Sequence, residues 1–240
     1  FDRGRNLREK TPEKIEWSLE QAEKGGHPHF MLKEILEEPN ALEHTLRGRL
    51  IPAQGLARLG GLSEVRDKLI KTRRIIISAC GTAYLAGRVG EYLLEEYAGI
   101  PVEVDLASEF RYRKPVFDEG SLFIAVSQSG ETADTRAALS EAKEKGVLTL
   151  GIVNVVGSTI ARETDAGIYQ HIGPEIGVAS TKAFTSQVAI FTLLTLLLGR
   201  QRGMSLVAGE RIARELGRIP ELMRRIIEGR DAIAAIAAKY

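Results

Sequence analysis

Cysteine is almost missing from this chain: Cys80 is the only one in 240 residues. That excludes an internal disulfide and any all-cysteine metal site, and it fits a reducing compartment, so a cytoplasmic location is expected. Histidine is scarce too. His27, His29, His44 and His171 lack metal-ligand spacing with a convincing partner; His27 and His29 read as solvated loop residues, and no metal site is expected. Charge of one sign is absent, because 33 basic residues face 32 acidic ones for a net charge of +1. No field selects nucleic acid or an acidic membrane surface. The N-terminal Phe1-Asp2-Arg3-Gly4-Arg5 lacks the apolar core of a signal peptide. It also lacks a starting methionine, and a fragment of a longer protein is the expectation. The one long apolar run, Ala183 to Leu198, is interrupted by Thr185, Ser186, Gln187, Thr192 and Thr195. It is short for a span of roughly 20 residues and reads as a buried helix.

What is present is an alternation of apolar runs and helical patterns. Helices are expected from Thr11-Pro12-Glu13 to a stop at Gly25-Gly26, from Pro28 to Glu37, and from Pro39-Asn40 to Leu46 or Arg47. Leu50 to Gly61 reads as a connection, and Ser63 to Lys71 as a short helix. Arg74-Ile75-Ile76-Ile77-Ser78-Ala79 is a continuous β-branched run, the mark of a buried parallel strand. A helix from Ala83 to Tyr97 follows, closed by Gly99. Pro101–Leu106, Leu122–Val126, Val147–Val153 and Ala166–Ile172 supply four more strands. From Thr181 to Tyr240 the pattern is helical, broken near Gly199–Gly203 and at Pro220, and the arginines there read as a solvated surface. The expected fold is α/β: a five-stranded parallel sheet flanked by helices, with helical N- and C-terminal extensions.

Parallel sheets of this kind bind ligands beyond the carboxyl ends of their strands, where strand order reverses. The loops after the first and third strands form the natural pair. They are Cys80-Gly81-Thr82 and Ser127-Gln128-Ser129-Gly130-Glu131-Thr132. Both carry hydroxyls and both run into a helix, where unpaired amide groups favour an anion. Ser129 is the expected N-cap. The dinucleotide glycine fingerprint and the lysine loop of nucleotide hydrolases are absent. A small phosphorylated metabolite therefore suits the site better than a nucleotide. A third loop, Gly173 to Lys182, holds Glu175 and Lys182, candidates for a base and a ring-opening lysine. Glu109 and Glu131 are weaker candidates. Cys80, just before a helix start, is a candidate nucleophile, yet no histidine partner can be placed beside it, and it reads as a small residue closing a core strand.

Four segments carry a resemblance. Ala79–Thr82, Ala107–Arg113, Ser127–Thr135 and Glu175–Thr185 resemble, in order, the isomerase half of the glutamine–fructose-6-phosphate aminotransferases (glucosamine-6-phosphate synthases). His29–Ile35 is similar to the segment that enters that half. The resemblance implies the first of two sugar-isomerase (SIS) domains over residues 27–202, each a flavodoxin-like three-layer sheet. Residues 1–26 would be a linker or the end of a glutaminase domain, and 203–240 a helical extension toward a second SIS domain. By motif, Thr82, Ala83, Ser127, Gln128, Ser129 and Thr132 would hold the phosphate of fructose 6-phosphate, glucose 6-phosphate or glucosamine 6-phosphate. Val178 and Ser180 would touch the sugar. Many members have serine where this chain has Ala83, so weaker or rearranged contacts are expected there. The family's catalytic groups lie in segments outside this chain, so none is assigned within it. The resemblance further implies no metal or organic cofactor, a homodimer, and a place in amino-sugar biosynthesis leading to UDP-N-acetylglucosamine. A non-catalytic SIS-type sugar-phosphate sensor and a stand-alone sugar-phosphate isomerase remain as alternatives.

Overall fold

The computed structural model describes residues 23–240; the helix expected from Thr11 lies outside them. The first element is α1, Phe30–Leu46. A small antiparallel pair follows, β1 (Leu50–Ile51) and β2 (Leu56–Ala57), with Leu50 opposite Ala57. A 3-10 stretch over Gly60–Val65 leads into α2, Arg66–Ile70. The main sheet then alternates with helices. Its strands are β3 (Arg74–Ala79), β4 (Val102–Leu106), β5 (Ser121–Ser127), β6 (Leu148–Val153) and β7 (Ala166–Tyr169). Between them run α3 (Thr82–Ala98), the one-turn α4 (Ala107–Phe110), α5 (Ala133–Glu144) and α6 (Thr159–Glu163). The chain ends with α7 (Lys182–Gln201), α8 (Leu206–Glu228) and α9 (Arg230–Ala237).

Spatial order in the sheet is β4-β3-β5-β6-β7, and every pairing is parallel. Order therefore reverses between β3 and β5, as the sequence reading requires. Strand alternation divides the core in two. Ile75, Ile77, Leu122, Ile124, Leu150 and Ile152 face α3 and α7. Ile76, Phe123 and Ala125 face the opposite layer, with Phe110, Leu139 and Ile160. Because both faces are covered, the strands read as unbroken apolar runs rather than alternating ones.

Two glycines bring α3 close to its neighbours. A Cβ on Gly87 would lie 3.0 Å from Ile77, and one on Gly90 would lie 2.5 Å from the Phe191 ring. The helix α7 is the one described helix long and apolar enough to cross a membrane by length and composition, and 72% of its apolar window is buried inside the protein.

Three expectations change. The two helices expected around Pro39 are one helix, with Pro39 buried in its interior. Losing the amide bond at a proline costs about 3 kcal/mol, and packing offsets it: Ala41, Leu42 and Leu46 are buried beyond the proline. Thr45 reinforces it by bonding the Gln170 carbonyl at 2.8 Å and the Ser186 hydroxyl at 2.9 Å. Pro220 likewise sits buried inside α8, and the break comes at Gly229 instead. The connection from Leu50 to Gly61 contains the β1–β2 pair, too short to leave a periodic pattern.

Candidate functional site

Ala79 at the end of β3 pairs with Val126 on β5, so the segments that follow leave the sheet side by side. On the β3 side, Gly81 has φ 57° and starts α3 with Thr82 as its first residue and Ala83 next. The Ala83 methyl packs against the core. On the β5 side the chain folds tightly over six residues. Ser127 is buried, and its Oγ accepts from Gly130 N–H at 3.0 Å while lying 2.8 Å from Thr132 Oγ1. Ser129 Oγ accepts from Glu131 N–H at 3.2 Å. Gly130 takes φ 67°, a conformation glycine adopts without cost.

The N-cap of α5 is Thr132, not Ser129, and its side chain makes no capping bond. The reason is geometric: Thr132 Oγ1 is engaged with Ser127, and Ser129 closes a turn two residues earlier. No side chain caps α3 either. Two helix N-termini thus meet the crevice without a side-chain acceptor, and the positive ends of both peptide dipoles favour an anion there. Glu131 turns away and accepts from Thr159 N–H at 2.8 Å. Burial works against its charge, but the Thr159 bonds and the nearby Arg162 and Arg136 hold its carboxyl below the usual range.

The third loop is joined to this one through Asn154, which sequence reasoning missed. Its backbone N–H donates to the Gln128 carbonyl at 3.0 Å. Its side chain donates to Gly173 O at 2.7 Å and accepts from Ile172 N–H at 3.1 Å. An asparagine directly after β6, at the carboxyl edge of the sheet, was the available signal. Beyond Gly173 the loop rises to an exposed apex, Val178 and Ala179, and returns through Ser180 to α7.

Glu175 and Lys182 are held in structural contacts. Glu175 Oε1 accepts from Thr181 N–H at 3.0 Å and Ala183 N–H at 3.1 Å, and Oε2 from Ser180 Oγ at 3.1 Å. That caps α7. Lys182 is 2% exposed, with its Nζ 2.7 Å from both Glu37 Oε2 and the Pro174 carbonyl. Burial, with Glu175 beside it, pushes the nearby Glu38 carboxyl up, against the pull of Thr185 and Lys182. Among the described residues no group of three or more His, Cys, Asp or Glu side chains could hold a metal.

A separate cavity of about 390 Å³ lies between α1, α3, α7 and α8, walled by Leu42, Leu93, Phe184, Val188 and Leu216. Its wall is mostly apolar, its one charged side chain is the acidic Glu215, and it shares no residue with the hydroxyl loops, so it is poorly suited to a phosphate.

The sequence matches the SIS domain over residues 68–197. It is 52% identical over 231 residues to a glutamine–fructose-6-phosphate aminotransferase of Chlorobaculum tepidum, covering 96% of this chain and 38% of that protein. Against the Thermus thermophilus enzyme it is 49% identical, covering 94% and 37%. The chain therefore spans less than two fifths of the length of these relatives. Among solved structures, the C-terminal domain of glucosamine-fructose-6-phosphate aminotransferase from Francisella tularensis superposes with a TM-score of 0.83 at 37% identity. That superposition covers 89% of this chain and 60% of the other. With the parallel sheet, its reversal between β3 and β5 and the SIS match over more than half its length, the chain belongs to the SIS-domain family.

Proposed function

We propose that this chain is the sugar-phosphate-binding part of an enzyme that makes glucosamine 6-phosphate from fructose 6-phosphate and glutamine, a step toward UDP-N-acetylglucosamine. The observation that carries the reading is the pair of hydroxyl loops at the strand-order reversal, each entering a helix without a side-chain cap. Near-full-chain similarity to aminotransferases supports the choice of parent reaction.

In this reading Thr82, Ser127, Gln128, Ser129 and Thr132 hold the phosphate, and Ala83 contributes its backbone N–H. Ser127 Oγ accepts from Gly130 N–H and shares a hydrogen bond with Thr132 Oγ1 in which either hydroxyl can donate, so the pair can orient its free proton toward a phosphate oxygen. Such a chain polarises each member in turn. Val178 and Ser180 contact the sugar from the third loop. Glu175 and Lys182 shape that loop rather than move protons, and the groups that isomerise and aminate the sugar come from other segments of the parent protein. The site needs no metal or organic cofactor. Residues 27–202 form the domain, 203–240 lead toward a second one, and the parent works as a cytoplasmic homodimer.

Calorimetric titration with glucose 6-phosphate tests this. Replacing Ser129 and Thr132 together by alanine weakens binding at least tenfold, about 1.4 kcal/mol. Unchanged affinity in the double variant would sink the phosphate assignment.

A further inference from the structure

The sugar-facing loop is held by a residue 142 positions away in the chain. Glu34, in the second turn of α1, is 2% exposed. Its Oε1 accepts from Ile176 N–H at 2.6 Å and from Gly177 N–H at 3.0 Å, and Oε2 lies 3.2 Å from the same Gly177 nitrogen. A buried carboxyl is costly to leave unpaired, and two successive backbone amides meet this one. The fit is reciprocal. A Cβ on Gly177 would lie 2.5 Å from Glu34 Oε2, so glycine is what lets the loop close onto the carboxyl.

Other contacts fix the same loop on either side. One turn along α1, Glu37 bonds Lys182, which also holds the Pro174 carbonyl. Asn154 holds Gly173, and Glu175 caps α7. At its far end α1 is tied to α7 by Thr45 and Ser186. Between these fastenings only the apex is free: Val178 is 106% exposed. Among the described residues, Glu34 is the one side chain of another element that grips the two peptide units just before that apex.

We propose that Glu34 is a positioning residue, which sets where the Val178–Ser180 apex stands against the sugar and so separates recognition of the sugar from capture of the phosphate. The proposal rests on the reading of the site given above. Phosphate stays with Ser127–Thr132, which Glu34 does not touch.

The test uses Glu34→Gln, nearly the same size but with one acceptor oxygen replaced by a donor, and Gly177→Ala, which presses the loop off the carboxyl from the other side. Hydrogen exchange at the Ile176 and Gly177 amides is measured, and binding of glucose 6-phosphate is compared with binding of inorganic phosphate. In both variants exchange at the two amides rises at least tenfold. Affinity for glucose 6-phosphate falls at least fivefold, and that for inorganic phosphate stays within twofold. Unchanged exchange would overturn the grip of Glu34 on the loop. Faster exchange with equal losses for both ligands, or with none, would overturn the positioning role alone. A wild-type chain that binds glucose 6-phosphate no better than phosphate would refute sugar recognition, and the positioning role with it, whatever the exchange.

Discussion

Gly130 shows how closely the hydroxyl loop after β5 is fitted. It sits at φ 67°, and an added Cβ would collide with Ser158 Oγ and lie 2.5 Å from Ser158 Cβ. The left-handed conformation alone costs an L side chain about 1–2 kcal/mol, and the overlap adds to it. Gly130→Ala is therefore expected to destabilise the chain by about 2 kcal/mol or more in urea unfolding. Adding Ser158→Gly returns only the steric share. Within the loop, the residue types were legible from sequence and their duties were not. Ser129 has the composition of a cap, yet Thr132 occupies the cap position with its hydroxyl committed to Ser127. Which of several neighbouring hydroxyls does what depends on backbone angles that composition does not encode. Glu175 and Lys182 have the chemistry of a base and a ring-opening lysine, but their actual partners, the α7 amides and Glu37, are set by the way α7 docks.

Helices and strands were more legible where burial dictates composition. The run Arg74–Ala79 coincides with β3, and Gly99 ends α3 in the left-handed conformation with φ 62°. The prolines misled because tertiary packing overrides a local preference: Pro39 and Pro220 are each buried within a longer helix. Helix α3 depends on close approach. Its Gly90 faces Phe191 of α7, and an alanine methyl would lie 2.5 Å from that ring. Overpacking of this kind costs about 1–3 kcal/mol. Gly90→Ala should lower the urea midpoint accordingly, and it should also weaken ligand binding, because α3 carries Thr82 and Ala83 at its head. Full stability in this variant would mean that α3 and α7 are not packed as described.

Across the whole molecule, the β-loop-α order was enough to expect a parallel sheet and the pair of loops at its reversal. The links between loops were not readable, since they join distant parts of the chain. Asn154 spans to Gln128 and Gly173, and Glu34 reaches Ile176 and Gly177 from an element that precedes the sheet entirely. Amphipathic periodicity says which face of α1 is inward and nothing about what a buried carboxyl on it will meet. Under the proposed function, the crevice between Cys80–Ala83 and Ser127–Thr135 receives the phosphate. Backbone amide NMR during titration with glucose 6-phosphate addresses it residue by residue. Saturable shifts at Thr82, Ala83 and Ser127 through Thr135, with smaller ones at Val178 and Ser180, are the predicted result. Shifts centred instead on the apolar cavity around Phe184 and Leu216, with the two hydroxyl loops unmoved, would contradict it.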